Sequence, residues 1–567
     1  MSRKMSTVDR PLNLTLALLG LAGLSGGVAL AAPTIRPTAL SDHVRTLASD
    51  DFGGREPGTP GEKLSVDYIS RQFAAAGLKP GGDLLPDGRR SWTQTVPIEE
   101  YSLSTPIDLS IDTDGRKTTL VQRRDIVVGS RADLDRVDIK NAPLVFAGYG
   151  VDAPEKQWDD FKGADLTGKI ALVLINDPDF RVDLDGRFDG PVMTYYGRWD
   201  YKFSELARRG ARGILIIHDQ KASGGTWAGW ARFFGLPQLD LQSTARTSKN
   251  APVEGWITRE QAVRLFAAEG MDLDAEQQRA SSPDFRPIDF RRSRFSAHFG
   301  LQRRNFDSRN VIGRVDGSTA PDESVIFSAH WDHLGHIDGP DGRKVVAPGA
   351  QDNAGGIAGL IELGRVFAAA PPRRRSLLFV AFTAEEKGLL GSAYFAEHPT
   401  TLLRGIVADI NIDALDIKGA TRDISLWGNG RSGLEPLLGR VAKAAGRTLV
   451  RNPRFDDGYY FRSDHFSFAR LGVPGVTLGS GLDLHDGGPA AGKTQEDDYF
   501  DNRYHGRGDA WSPDLDFSGL ATDIDLLVQF GRALSETTDR PMFEPGSAYF
   551  LAQSRLLAQP AKSEAGP

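Results

Sequence analysis

His330, Asp332, Asp352, Glu385, Glu386, Asp413, Tyr504 and His505 are the residues of this chain whose types and order point to chemistry. Imidazole and carboxylate groups bind divalent metals, and the absence of cysteine excludes thiolate ligation. His330 and Asp332 stand two apart on an extended segment, so both point to one face: the imidazole binds metal while a carboxylate orients a ligand. Adjacent Glu385 and Glu386 leave an extended backbone in opposite directions. One is therefore free to bind metal while the other holds an attacking water as general base. Asp352, Glu386 and Asp413 would overcharge one divalent ion, whereas two ions leave a single positive charge that a hydroxide cancels. The set reads as a dinuclear centre.

These clusters lie at or just beyond short apolar runs. Ser324–Ala329, Leu377–Phe382 and Ile406–Ile412 have the composition of strands buried on both faces. Between them, Ile357, Leu360, Ile361, Gly364 and Phe367 recur at helical spacing until Pro371 and Pro372. The alternation predicts an α/β fold with a mixed, mainly parallel central sheet flanked by helices. Ligands of such sheets gather beyond the carboxyl ends of the strands, where the polar clusters fall.

With the Gly53-Gly54-Arg55-Glu56-Pro57-Gly58-Thr59 segment, the Ser308–Gly313 lead-in and Ser463-Asp464-His465 ahead of Gly472-Val473-Pro474, the motifs resemble those of the M28 family of zinc aminopeptidases. The resemblance is to the larger form, which carries an inserted, β-rich protease-associated (PA) domain. It implies the zinc-peptidase fold and two Zn2+ per chain, although oxygen and imidazole ligands also accept Mn2+ or Co2+. Carried over motif by motif, His330, Asp352 and Asp413 hold one zinc, and Asp352, Glu386 and His505 hold the other. Glu385 is then the general base, Asp332 the partner of His330, and Tyr504 the hydroxyl that stabilises the oxyanion. Gln351 stands where the family often has an acidic residue, residues 336–348 lengthen the gap between first ligand and bridge, and Gly506-Arg507-Gly508 replaces a Pro-containing turn. His333, His336 and His465 are expected in supporting or solvent roles.

The predicted organisation is a signal peptide over 1–31, a first catalytic part over 33–100, a PA-like insertion over 101–303, a second catalytic part over 304–545 and a flexible tail over 559–567. Arg3, Lys4 and Arg10 precede the apolar Leu12–Leu24 stretch, and Ala29-Leu30-Ala31 offers a signal-peptidase site, so export to the periplasm or medium is expected. No stable membrane insertion is expected after cleavage, and the lack of cysteine removes lipid attachment. Within 101–303 the runs at 142–147, 169–175 and 213–217 read as strands, with a helix over 203–209. Trp158, Trp199, Tyr201, Trp227 and Trp230 read mainly as packing residues of a lobe that covers the cleft. Glu62–Ala76 reads as a helix with Leu64, Tyr68, Ile69 and Phe73 inward, and Thr522–Leu534 as a final helix.

Two motif matches compete. Gly487–Thr494 fits a phosphate-loop pattern, but no strand leads into it and an acidic run follows, so it reads as a flexible rim loop. Gly23-Leu24-Ser25-Gly26-Gly27 fits a nucleophile elbow but lies in the exported leader. A net charge of -7 with dispersed basic residues argues against nucleic acid. The expected substrate is a peptide, cut at its N-terminus. A carboxypeptidase or dipeptidase of the same fold is the alternative, and would need an arginine fork from among Arg422, Arg431, Arg462, Arg503 and Arg507. A non-catalytic binding protein would be free to lose ligands that this chain retains.

Overall fold

The computed structural model describes residues 34–559 apart from 183, 247–248, 340–341, 414, 429 and 455–457. The expected signal segment and residues 560–567 of the expected tail lie outside the described residues. Apolar runs form strands wherever both faces can be covered. In chain order these include β1 (Thr93–Thr113), β2 (Ile126–Gly129), β3 (Arg136–Phe146), β4 (Ile170–Leu174), β5 (Gly213–Ile217), β6 (Val253–Ile257) and β7 (Ile288–Val315). They continue with β8 (Ala320–His330), β9 (Arg375–Phe382), β10 (Ile406–Asn411), β11 (Asp423–Leu426), β12 (Thr448–Arg451) and β13 (Gly475–Ser480). Hydrogen bonding orders them β12-β11-β13-β10-β8-β9-β7-β3-β4-β5-β6-β2, with β1 paired to β7.

Two parallel blocks make up this mixed, mainly parallel sheet. One runs through β13, β10, β8 and β9, the other through β3, β4, β5 and β6. The long antiparallel pair β1 and β7 joins them, with Thr93 opposite Val311 at one end and Thr113 opposite Ser293 at the other. The positions 101 and 303, where the sequence pattern changes, therefore fall inside β1 and β7.

Alternation along the strands sorts side chains between two cores. Val325, Phe327 and Ala329 of β8 pack with residues of the helices Gly356–Ala368 and Ser518–Glu536. Ile326, with Leu378, Val380 and Phe382 of β9, packs on the opposite face against Phe395 and Phe468. Each fully buried Leu, Ile or Phe contributes about 1.5–3 kcal/mol of transfer free energy, which holds the strand ends that carry the polar clusters in fixed positions.

Three local expectations are corrected. The helix Pro60–Ala75 buries Glu62, Ser65, Ile69 and Phe73, while Leu64 is 43% exposed, because the buried stripe lies one position away from it. Gly488–Asp498 is an α-helix rather than a flexible loop, and only Gly492 and Glu496 of it are buried. The helix Ser518–Glu536 is not the last, since Phe550–Ala558 follows and buries Gln553 and Leu556. Among the described residues no helix is long and apolar enough to cross a membrane.

Candidate metal and catalytic site

His330 ends β8, Glu385 and Glu386 follow β9, and Asp413 follows β10, so three parallel neighbours deliver their polar residues to one edge of the sheet. Asp352 comes from the turn ahead of the helix Gly356–Ala368. In that turn Gly349 has φ 57, and a Cβ there would lie 2.1 Å from the Asp352 carbonyl oxygen. Only glycine fits.

Asp352 divides its two carboxylate oxygens between two clusters. Oδ1 lies 3.2 Å from His330 Nε2, which is also 3.1 Å from Asp413 Oδ1. Oδ2 lies 3.2 Å from His505 Nε2, which is also 3.2 Å from Glu386 Oε2. The second histidine is thus at hydrogen-bonding range of two carboxylates, yet its Nε2 is buried and makes a hydrogen bond with neither. Four atoms placed tetrahedrally about 2.0–2.1 Å from one zinc stand roughly 3.4 Å apart, so these spacings fit a common cation in each cluster. The donor chemistry fits as well.

The surroundings orient the donors. His330 Nδ1 donates to the carbonyl of Asp332 at 3.1 Å, which leaves Nε2 facing Asp352 and Asp413. The Asp332 carboxylate stands farther away, its Oδ1 3.8 Å from His330 Nδ1, and accepts the backbone N–H of Glu385 at 3.0 Å. It therefore fixes the glutamate pair as well as neighbouring the imidazole. His333 Nδ1 bonds Glu386 Oε1 at 2.7 Å, and His333, Asp352 and Glu386 form a close group of their own. Ser463 Oγ donates to Asp413 Oδ2 at 2.5 Å. Asp464 and His465 are buried behind it, with the His465 ring against Tyr460 at 4.6 Å.

Two further residues position Asp352. Arg55 is fully buried and donates to the carbonyls of Trp331, Leu47, Pro348 and Gly349 at 2.8, 2.9, 2.6 and 2.9 Å, tying the end of β8 to the Asp352 turn. Asp509 accepts the backbone N–H groups of Gln351 and Asp352 at 2.9 and 3.0 Å. Gln351, a neutral residue beside Asp352, turns its amide to Asp416 at 2.9 Å. Residues His336–Asp338 and Lys344–Val346 of the lengthened segment pair as a short hairpin.

Residues 310–528 match the description of peptidase family M28. That match makes residues 310–528 an M28 peptidase domain. The chain is 29% identical over 488 residues to a probable lipoprotein aminopeptidase, LpqL, of Mycobacterium tuberculosis, covering 82% of this chain and 78% of that protein. A probable zinc metalloprotease of Pyrenophora teres is 35% identical over 103 residues, 18% of this chain and 22% of that protein. A solved aminopeptidase from Aneurinibacillus sp. strain AM-1 is 19% identical, covering 90% of this chain and 96% of that one, with a TM-score of 0.47.

The M28 site lies in a cavity of about 370 Å³ walled from both halves of the sheet. Trp199, Trp230 and Phe233 come from the region between β1 and β7, and Trp427, Tyr459 and Phe500 from the M28 domain. Trp158 and Tyr201 instead belong to a core, as expected of packing residues. Trp227 donates its Nε1 to the Arg123 carbonyl. Tyr504 stacks on His505 with ring centroids 3.8 Å apart and lines the same cavity. Of the arginines considered for a fork, Arg462 lines it, whereas Arg422, Arg503 and Arg507 pair with Asp483, Asp498 and Asp50. Arg431 lies 4.0 Å from Asp189 and 3.7 Å from Glu544.

Charge in the M28 site is arranged for cations. Burial pushes the Glu385 carboxyl well above the usual range, helped by Asp413 and Glu386. Burial acts the same way on Glu386, but His505 and His333 hold it far below that range. Burial alone would discourage protonation of His505, yet Glu386 and Asp352 push its pKa up to about 10, and Glu385 and Asp413 raise His330 likewise. Without metal these imidazoles keep protons at neutral pH, and a metal must displace them. Calorimetric zinc titrations of metal-free protein in buffers of different ionisation enthalpy should therefore report proton release, with affinity rising from pH 6 to pH 8. A pH-independent affinity without proton release would contradict the charge balance.

Proposed function

We propose that this protein is an exported aminopeptidase with two zinc ions, removing N-terminal residues from peptides. The observation that carries the reading is the division of the Asp352 oxygens between His330 and His505. One carboxylate shared by two clusters suits a pair of metals, with His330, Asp352 and Asp413 on one and Asp352, Glu386 and His505 on the other. The metals supply Lewis acidity and a water made acidic near neutral pH.

The chain's own residues do the rest. Glu385 takes the proton of the attacking water and returns it to the leaving amine, a task suited to a carboxyl whose proton affinity is raised. Tyr504 donates its hydroxyl to the oxyanion. Asp332 holds the backbone of Glu385, and His333 holds Glu386, so neither carboxylate swings out of register. Residues 101–303 act as the inserted PA-like domain, and Trp199, Trp230 and Phe233 from it exclude water from the cleft. Support for aminopeptidase action comes from the mycobacterial relative, and for zinc from the fungal one. Export follows from the leader composition.

The test uses purified protein, a peptide series with free and acetylated N-termini, and a chelator arm. Cleavage confined to free N-termini, abolished by chelator and restored by zinc, is expected. Equal cleavage of free and blocked peptides would remove the aminopeptidase reading.

A further inference from the structure

The cavity is anionic on its metal side and cationic on the wall facing it. Arg462 directly precedes Ser463, whose hydroxyl bonds the ligand Asp413. Its guanidinium lies 4.9 Å over the Tyr459 ring, and its Nε is buried without a hydrogen-bond partner among the described residues. Its Nη2 reaches across to the other lobe, where a Cβ placed on Gly224 would meet it at 3.7 Å. Arg198 enters from that lobe, immediately before the helix Trp199–Arg208, with its side chain 12% exposed. Its Nε is held by Asp200 Oδ1 at 3.1 Å, an arrangement that aims the planar group while engaging one donor.

Burial lowers the pKa of Arg198, and so does the charge of Arg462, while Asp200 and Glu385 oppose them. The two guanidinium groups and the catalytic glutamate thus feel one another across the same small space. Among the described residues Asp200 bonds one donor of Arg198, and the buried Nε of Arg462 bonds none, so the pair keeps donors for a further anion. An unmade bond to a buried donor is costly. Guanidinium groups present donors in a fork that matches a carboxylate. Arg198 also lines the adjoining cavity of about 350 Å³, so a chain running out of the site passes it.

We propose that Arg198 and Arg462 together bind a substrate carboxylate next to the scissile bond, which makes peptides bearing one there the favoured class. This rests on the peptidase reading above and specifies its substrate. An amine end attracted to the Asp and Glu side and a carboxylate end attracted to the arginine wall would align a short zwitterionic peptide across the centre. The carboxylate has two sources: the free C-terminus of a dipeptide, or the side chain of an acidic residue flanking the cut.

Matched pairs separate these sources. Zinc-loaded protein is assayed on Leu-Gly against Leu-Gly-amide, on Leu-Asp-amide against Leu-Asn-amide, and on glutamyl against glutaminyl p-nitroanilide. At least one pair should favour the carboxylate member by about tenfold or more in kcat/KM, chiefly through KM, since a fork left empty rejects the neutral analogue. Arg462→Gln and Arg198→Gln should each shrink that ratio to about twofold or less. Arg198→Gln also loses the bond to Asp200, so the Arg462→Gln variant decides if it folds poorly.

Equal rates within every pair, or an unchanged ratio in Arg462→Gln, would overturn the proposal. Calorimetric binding of each pair to the Glu385→Gln protein reads the same preference without turnover. Failure to hydrolyse leucyl p-nitroanilide would count against the aminopeptidase reading alone. Loss of the preference in the binding arm would count against the fork alone.

Discussion

Glu385→Gln is expected to keep its metal and lose nearly all turnover. The side chain lies outside both ligand clusters, whose members are His330, Asp352 and Asp413 on one side and Asp352, Glu386 and His505 on the other. Its backbone N–H is anchored by Asp332, so an isosteric amide should sit where the carboxyl does. What disappears is the ability to accept and return a proton. Removing a positioned general base costs about 10²–10⁴ in rate, and the amide offers no substitute. The measurement pairs kcat on a leucyl substrate with zinc content by elemental analysis. Parental kcat would refute the assignment of the base. Loss of zinc alongside activity would instead make Glu385 a ligand, and the proton would need another carrier.

The glutamate pair illustrates what sequence makes legible. Adjacent carboxylates at the end of an apolar run must diverge, and in the fold one turns into a cluster while the other faces the cavity. The strands β8, β9 and β10 were equally readable, because burial on both faces leaves a continuous apolar signature. Arg55 and Asp509 were not. Both act by hydrogen bonding to backbone groups far away in the chain, and nothing in the local sequence distinguishes a buried arginine serving four carbonyls from a surface one. The Gly53-Gly54-Arg55 segment carries a signal only as part of the family likeness. The order of the fold then showed why an arginine belongs there.

The cavity walls were also illegible, for a different reason. Trp427 lies just past β11, and Tyr459 and Phe500 sit in the short helical segments Tyr459–Phe461 and Tyr499–Arg503, too short for a lone aromatic to show a periodic pattern. Arg198 stands 264 residues before Arg462, so no spacing rule links the two. The helix Gly488–Asp498 hides because it is nearly all polar or small and buries only two residues, which removes the periodic apolar stripe. Leu64 errs the other way. Its hydrophobicity suggested the core, but the stripe defined by Ile69 and Phe73 continues back to Ser65 and Glu62.

The second large effect belongs to the bridge. Asp352→Ala should abolish activity and lower zinc from two ions per chain towards none, because it leaves each cluster with only one histidine and one carboxylate. Asp413→Ala makes the contrast: it strips one cluster and leaves Asp352, Glu386 and His505 intact, so about one zinc should remain. Stability gives an independent reading. A metal that binds only the folded state stabilises it in proportion to the logarithm of its concentration over Kd. Chelator should therefore lower the Tm of the parental protein and leave that of Asp352→Ala unmoved. Without metal the alanine variant also loses the carboxylate that, against its burial, His330 and His505 hold well below its usual range. That interaction stabilises the fold above the ordinary carboxyl pKa, so the variant's chelator-treated Tm should fall below that of parental protein stripped in the same way. Two zinc ions retained by Asp352→Ala would mean that the carboxylate merely sits between the clusters, and the shared-bridge argument would fall with it.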